Sequence, residues 1–531
     1  VTPPSEPLIP RAPIAYALAT LSGLLYFLSF PGPALWPLAF VALVPLMVAL
    51  RGQKPRRAAG LGWMAGFTMT MTGFYWLLGM LQAFSGFPWP LCLVLMALLN
   101  AYQGGRFALL GWISGRAEQR GWPFGVVFAL GFGASEFLYP LLFPWHFAAA
   151  IYKLPALTQL AEVGNVVLVS LMLVAANLAI AELVVARLRH VRPRWRVVAG
   201  LAAVPALAAV YGAIRIHQVD AAVAAAPKAR VGLVQANMGL LAKRKEKRAG
   251  LLRHLRLTKE LQEAGPLDLV VWSETSVMSA MEESLVPTMY PMQFTRQLGV
   301  PAIFGGVLVR PVDDTREYVL FNSALATDKD GKVIGRYDKQ YLLAFGEYLP
   351  LGDRFPILYD WSPQSGKFSP GKSLQPLRVA GRQVAVFICY EDIIPGFVNS
   401  IVGNGSPDLL VNMTNDAWFG DTTQPWIHFS LSTFRAIEHR RYFIRSTNSG
   451  VSAFVDPVGR VVSHTDTFKE QALAHEIAWM QAKTPYELYG DLPWWLVSAA
   501  AIGMSFIRRP ARKPKVEPSP ATDVTDGQAA S

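Results

Sequence analysis

Val384-Ala385-Val386-Phe387-Ile388-Cys389-Tyr390-Glu391-Asp392 reads as a buried apolar strand that delivers a cysteine to the first turn of a helix. Five uncharged apolar residues in a row form the strand, and two acids follow where carboxylates meet the positive end of a helix dipole. A chain that turns this way belongs in an open α/β sheet, whose C-terminal strand edge borders the ligand crevice. A thiol at that edge, with a carboxylate base nearby, can accept an acyl group. The competing reading is a small core residue, because free cysteines are among the most buried residue types.

Residues 228–478 repeat the pattern around this strand. Strands are expected at 229–237, 267–272, 301–309 and 318–326, with a charged helix at 244–264. Asp328-Lys329-Asp330-Gly331 is a hairpin turn into 332–337. After the cysteine strand come a short helix from Glu391, a strand at 408–413, a helix at 424–440 and a hairpin at 450–463. The expected fold is an α/β sandwich of mixed sheets with helices outside, and the block holds no internal repeat.

The rest of the chain is different in kind. Over 531 residues, 52% are hydrophobic, 16% are charged and the mean hydropathy is +0.29, too apolar for a soluble protein of this size. Apolar spans at 13–30, 34–50, 59–81, 88–114, 123–143, 157–187 and 196–214 approach the ~20 residues that cross a bilayer, and an eighth lies at 492–507. The first is followed at once by further spans and lacks a small-residue cleavage site, so it reads as a helix and not a signal peptide. The net charge of +12 would suit nucleic acid, but its position argues otherwise. Arg51, Lys54, Arg56 and Arg57 follow span two; Arg116 and Arg120 follow span four; Arg187 to Arg196 flank span six; Arg508 to Lys515 follow the last. The alternate loops 31–33 and 82–87 have no Lys or Arg, and 144–156 has only Lys153. By the positive-inside rule the amino terminus is cytoplasmic and the α/β block is extracytoplasmic. The expected organisation is a helical membrane domain at 1–215, a catalytic domain at 216–490, a last span at 491–509 and a disordered cytoplasmic tail at 510–531. Cys92 and Cys389 lie in unlike settings, so no disulfide is expected; no Cys/His cluster has zinc spacing, so no metal or cofactor is expected.

Three strand ends then fall into order: Trp272-Ser273-Glu274-Thr275, Arg336-Tyr337-Asp338-Lys339 and Ile388-Cys389-Tyr390-Glu391. Phe345-Gly346-Glu347-Tyr348 follows the lysine, and Thr414-Asn415-Asp416-Ala417-Trp418-Phe419 follows the cysteine. Glu, Lys and Cys so arranged resemble the catalytic triad of the nitrilase superfamily. With the eight spans, nearly the whole chain resembles the apolipoprotein N-acyltransferase family. The resemblance implies an αββα sandwich carrying a bacterial inner-membrane acyltransferase, the last step of lipoprotein maturation. The implied donor is a phospholipid, most simply phosphatidylethanolamine giving its sn-1 chain, and the acceptor is the α-amine of a diacylglyceryl-cysteine at a lipoprotein's amino terminus.

In this reading Glu274 takes the Cys389 proton, and Lys339 with the Tyr390 N–H holds the oxyanion. Glu347, the superfamily's additional glutamate by resemblance, orients the lysine or the amine, and Tyr390 and Glu391 line the mouth. Trp145, in an outward loop, lies near the substrate entrance by the same resemblance, and Asn415 and Trp418 are carried over as substrate contacts. The apolar loop at 349–370, with Phe355, Leu358 and Trp361, is expected to be a lid on the bilayer. Arg106, inside span four, is expected to snorkel. The family often has a tryptophan after the first strand's Gln-x-Asn; here Gln235-Ala236-Asn237 runs on through 238–244 without one. The alternatives are a membrane-tethered nitrilase-type amidase, a transporter or sensor with a degenerate domain, and a Cys389 dyad with His428 or His439.

Overall fold

The computed structural model describes residues 6–510 apart from 240–246, 287–291, 313–317 and 363–364. The tail from 511 and most of the loop without the family tryptophan therefore lie outside the described residues.

Each apolar span is helical, although not all are uninterrupted. Among the described residues four helices are long and apolar enough to cross a membrane: α1 (Ala12–Ser29), α5 (Trp89–Gln119), α8 (Ala161–Leu188) and α9 (Trp195–Ala225). The span expected at 34–50 is broken into a 3-10 turn at Trp36–Phe40 and α2 (Val44–Leu50). The span expected at 59–81 is α3 (Pro55–Gly73), a turn at 74–76, and α4 (Leu77–Ser85). Next, α6 (Phe124–Leu138) stops before 143, α7 (Pro155–Thr158) precedes α8, and Leu492–Phe506 is the last apolar helix. α3 packs against α5 with backbones nearly touching: a methyl on Gly66 would fall 2.4 Å from the Gly104 carbonyl oxygen. Lipid tails are as apolar as leucine, so such small-residue contact replaces hydrophobic burial as the glue between helices.

α9 does not end with the span expected at 196–214 but continues to Ala225, directly into the α/β domain. That domain is two sheets face to face. The first runs β13-β1-β2-β4-β5-β6, with β3 paired to β4. Its strands are β1 (Lys228–Gln235), β2 (Leu269–Trp272), β3 (Val277–Glu282), β4 (Ala302–Pro311), β5 (Tyr318–Thr327), β6 (Val333–Asp338) and β13 (Gln471–Ala478). The second runs β12-β11-β10-β9-β8-β7. It contains β7 (Leu377–Val379), β8 (Arg382–Ile388), β9 (Leu409–Thr414), β10 (Phe443–Thr447), β11 (Ala453–Val455) and β12 (Val461–His464). Val231, Leu233 and Val271 pack with Val386, Val411 and Ile444 in one core, while Val270, Trp272 and Phe304 pack beneath the outer helix Lys247–Glu263 with Leu257. The result is the α/β sandwich expected from the alternating pattern, in the αββα form that the resemblance implies. β8 from Val384 onward and all of β9 are buried and pair in parallel, which is why residues 384–388 and 409–411 are apolar runs.

The sandwich is seated on the bundle by buried polar contacts. Arg440 Nε donates to Glu162 Oε2 at 2.7 Å and Gln159 Nε2 to the Val458 carbonyl at 2.9 Å, while within the bundle Arg215 Nε on α9 holds the other oxygen of Glu162, Oε1, at 2.6 Å. Nearby, α8 is kinked at Gly164 and Asn165, and the Val166 N–H freed by the kink donates to Glu438 Oε1 at 3.0 Å.

Arg106 does not snorkel. It is fully buried, its Nη2 2.8 Å from Glu136 Oε1 and its Nη1 2.9 Å from the Trp145 carbonyl, with the guanidinium 4.1 Å from the centre of the Trp145 ring. An intramembrane charge that finds a carboxylate one helix away has no need to reach for water. The Trp145 indole, expected near the substrate entrance, is fully buried among Tyr26, Phe30 and Phe107.

Candidate active site

Four strand ends converge on the cysteine. β8 ends at Ile388, and Cys389 opens a one-turn 3-10 helix, Cys389–Ile393, with its own φ at +56°. A side chain held in the left-handed region costs of order 1–3 kcal/mol and persists only where the surroundings impose it. Here Asn412 on neighbouring β9 imposes it, its Nδ2 donating to the Cys389 carbonyl at 2.8 Å. The turn projects the sulfur out of the sheet and leaves the Tyr390 N–H in a first helical turn, where backbone donors have no intrahelical acceptor.

Glu274 follows β2, and its turn packs so closely on β4 that a methyl on Gly305 would come within 2.4 Å of the Thr275 nitrogen. Lys339 follows β6, with its N–H donating to the Asn322 carbonyl on β5 at 2.9 Å. Its ammonium lies 2.7 Å from Glu347 Oε2 and 3.8 Å from Glu274 Oε1. Asn322 Nδ2 spans the two acids at 2.7 Å from Oε1 of each. Glu347 is further held by the Leu343 N–H at 2.8 Å, so both its oxygens are committed. Lys339, Glu274 and Cys389 are all buried.

The electrostatics follow from that burial. Desolvation pulls the Lys339 pKa down, but Glu347, the cysteine sulfur and Glu274 outweigh it and hold the ammonium well above its ordinary value. Burial pushes the Cys389 thiol up to about 12; Lys339 opposes the shift, and Glu274 and Glu347 add to it. The resting nucleophile is therefore a neutral thiol beside a permanent cation, and it needs a base at the moment of attack.

The sulfur opens on a narrow apolar cleft. One wall is Phe74, Phe143 and Pro144 of the membrane bundle; the other is Phe419, Ile427 and Leu431 of the sandwich. Trp76, at the break between α3 and α4, packs edge-on against Phe143 and Phe419 at 5.2 and 5.0 Å and braces both walls.

Several expected site residues stand elsewhere. Glu391 does not line the mouth: it is fully buried and accepts from the N–H groups of Ile388, Gln340 and Tyr341 at 2.8, 2.7 and 3.0 Å and from the Tyr337 hydroxyl at 2.9 Å. It ties the cysteine turn to the lysine turn, and burial pushes its carboxyl up to about 7 against those donors. Asn415 is buried and bonds to Asn448 Nδ2 at 2.9 Å, and Phe419 instead of Trp418 faces the cleft. Phe355 and Trp361 are exposed, Leu358 is half-buried, and none of the three lines the cleft at the sulfur. His428 reaches the cleft, yet its ring nitrogens face Asp392 at 3.1 Å and Asp416 at 3.2 Å, which leaves neither for a cysteine dyad. His439 is held by Glu487 at 3.1 Å. Asn322 and Phe74 escaped the sequence reading, whereas Phe143 belongs to the loop expected near the entrance and Phe419 to the motif after the cysteine strand. Only Asn322 left a trace, as an amide within an otherwise buried run of β5.

A family model described as "Apolipoprotein N-acyltransferase N-terminal domain" matches residues 22–179, and one described as "Carbon-nitrogen hydrolase" matches 230–483. A Geobacter metallireducens protein named apolipoprotein N-acyltransferase is 30% identical over 499 residues, covering 92% of this chain and 94% of its own length. One of the same name from Azotobacter vinelandii is 32% identical over 520 residues, covering 95% and 97%. Matched nearly end to end by such relatives, with Glu274, Lys339 and Cys389 in that order at three strand ends, the chain belongs to the apolipoprotein N-acyltransferase family of membrane acyltransferases.

Proposed function

We propose that the protein transfers the sn-1 acyl chain of a phospholipid, through a thioester on Cys389, to the α-amine of diacylglyceryl-cysteine at the amino terminus of a lipoprotein. It does so in the inner membrane, with residues 216–490 on the periplasmic side. The alternation of Lys- and Arg-loaded loops supports that orientation.

In the first half-reaction the Cys389 sulfur attacks the ester carbonyl as Glu274 takes the thiol proton. Lys339 and the Tyr390 N–H receive the oxyanion, and collapse breaks the ester C–O bond. Glu274 returns the proton to the departing lysophospholipid oxygen. In the second, the neutral amine attacks the thioester carbonyl and Glu274 accepts its proton. The C–S bond breaks, and the thiolate recovers the proton. Glu347 and Asn322 keep the ammonium and the base apart and aligned throughout.

The observation that carries this reading is the cleft itself. A thiol at the base of an apolar slot shared by membrane bundle and sandwich suits an acyl chain arriving from a bilayer, whereas a small-amide hydrolase gains nothing from a wall of Phe74 and Phe143. Incubation with phospholipid and no acceptor is expected to add one acyl mass to Cys389, removable by neutral hydroxylamine. Turnover by an enzyme whose cysteine never carries the acyl group, with intersecting initial-rate lines, rejects the thioester route. Ammonia release from small amides without lipid transfer restores the amidase.

A further inference from the structure

Lys153 is the single lysine or arginine in the three loops expected to face outward, 31–33, 82–87 and 144–156. A cation there runs against the topology rule, and no step of the reaction uses it. The structure places it in a pocket of about 230 Å³ at the seam of bundle and sandwich. Pro31, Ala34 and Trp36 come from the connection after α1, Ile151 to Leu154 from the stretch before α7, and Trp426 from the sandwich helix Gln424–Ser432. The connection is pressed onto the start of that helix. Gly32 has its φ at +121°, and a methyl there would fall 2.6 Å from Thr423 Cγ2.

Lys153 is exposed, its ammonium 5.5 Å from the centre of the Tyr152 ring and 5.9 Å from that of Trp426. Two rings steer a cation without neutralising it. None of the residues lining the pocket is acidic, and among the described residues Lys153 joins no ion pair. Trp36 is exposed beside it, as an indole is at the boundary of water and lipid.

We propose that this pocket holds the phosphate of an anionic phospholipid, bound as a resident lipid and not as acyl donor. Lys153 meets the phosphodiester as a point charge, and Trp36 and Trp426 lie against the glycerol and the upper chains. A head bearing an ammonium would set a second cation near Lys153 with no carboxylate to receive it, so the charge of the site favours phosphatidylglycerol over phosphatidylethanolamine. Inorganic phosphate would leave the carbon walls of Pro31, Ala34, Ile151 and Leu154 uncovered. The pocket shares no lining residue with the cysteine cleft, which is why its lipid is not a donor. Yet Trp426 is followed by Ile427, which lines the cleft with Leu431 of the same helix. A lipid seated here therefore braces, from outside the site, the helix that walls the cleft.

The test uses the full chain as Cys389→Ala, so that acylation consumes no probe, in nanodiscs of phosphatidylcholine. Photoactivatable phosphatidylglycerol is titrated in, and crosslinked peptides are identified by mass spectrometry. Saturable crosslinks are expected on peptides holding residues 31–36, 150–154 or 426. Lys153→Gln is expected to raise the half-saturating fraction about tenfold, the scale of one lost charge-assisted hydrogen bond, and Lys153→Arg to keep most of the affinity. Phosphatidylethanolamine with the same photogroup is expected to need a higher fraction. Crosslinks spread evenly over the bundle, equal half-saturation of wild type and Lys153→Gln, or equal half-saturation by the two lipids overturn the assignment. Full displacement by inorganic phosphate overturns it as well, by making the occupant a free anion. A loss in Lys153→Gln that tracks a fallen thermal midpoint does the same.

Discussion

Two clusters of buried charge lie within one turn of Cys389, and they are built to opposite ends. The first holds Glu274, Glu347, Lys339 and the thiol. The second, at the same strand ends, holds Asp392, Asp416, His428 and Arg445, with Arg445 Nη1 2.7 Å from Asp392 and Nη2 3.2 Å from Asp416. In the second, burial and Arg445 push the His428 pKa down, but Asp392 and Asp416 outweigh them and raise it, so two basic groups face two acids. Arg445 and Asn412 then carry that rigidity to the cysteine carbonyl. The first cluster has two acids against one basic group, with the thiol beside them. On the mechanism proposed above, proton traffic belongs to the unbalanced set and shape to the balanced one.

The largest expected effect tests that division at its sharpest point. Glu274→Gln keeps the bulk and the bond to Asn322 but removes the base, and should slow Cys389 acylation by about 10²–10⁴ without altering the thermal midpoint. Lys339→Met should act on the same scale through the lost oxyanion partner. A Glu274→Gln enzyme that acylates normally would hand the base to another group and erase the contrast.

Arg445→Met should do the converse. Stripping the cation leaves Asp392 and Asp416 buried with one partner between them, a loss of about 3–5 kcal/mol of stability. The midpoint should fall steeply, and acylation per folded molecule should change far less than with Glu274→Gln. An unchanged midpoint with lost turnover would place the balanced cluster in the chemistry.

Alkylation of the free enzyme sharpens the picture of the thiol. A cysteine raised to about 12 from its ordinary 9.0 favours the fold while protonated, so that contribution is present below about pH 9 and is lost as pH climbs toward 12. Reaction of Cys389 with a small maleimide should accordingly rise about tenfold per pH unit from 7 to 10 with no plateau. A plateau near pH 8 would mean a preformed thiolate and no need for Glu274.

The smallest effect concerns the loop outside both clusters. Replacing Phe355, Leu358 and Trp361 together with serine should raise KM for phospholipid severalfold and spare acylation by a small soluble thioester, because none of the three reaches the sulfur. Equal loss with both donors would make the loop a support of the site and not a lipid contact.

Legibility divides along similar lines. Glu274, Lys339 and Cys389 could be picked out because each ends a strand whose apolar run is visible locally. Glu391 stood in the same motif, and nothing local told that its carboxylate would turn inward to accept four bonds from two separate turns. Arg106 misled for the same reason. A charge inside an apolar helix has the same sequence signature whether it snorkels or pairs, and Glu136 is 30 residues away. Asn322 needed β5 laid between β4 and β6 before its amide could span both acids.

Hydrophobic periodicity and charge placement determined, from the sequence by itself, a membrane bundle joined to an α/β sandwich and a nucleophile at a strand's C-terminal edge. Those signals are carried by neighbours within one turn or one strand, where the local pattern of burial is written directly into residue type. Tertiary structure alone decided how the two acids are partnered, how the cysteine is strained, and that Phe74 and Phe143 of the bundle meet Phe419 of the sandwich over the sulfur. Each depends on desolvation and on partners far apart along the chain, and the energy of a buried charge is set by what surrounds it in space.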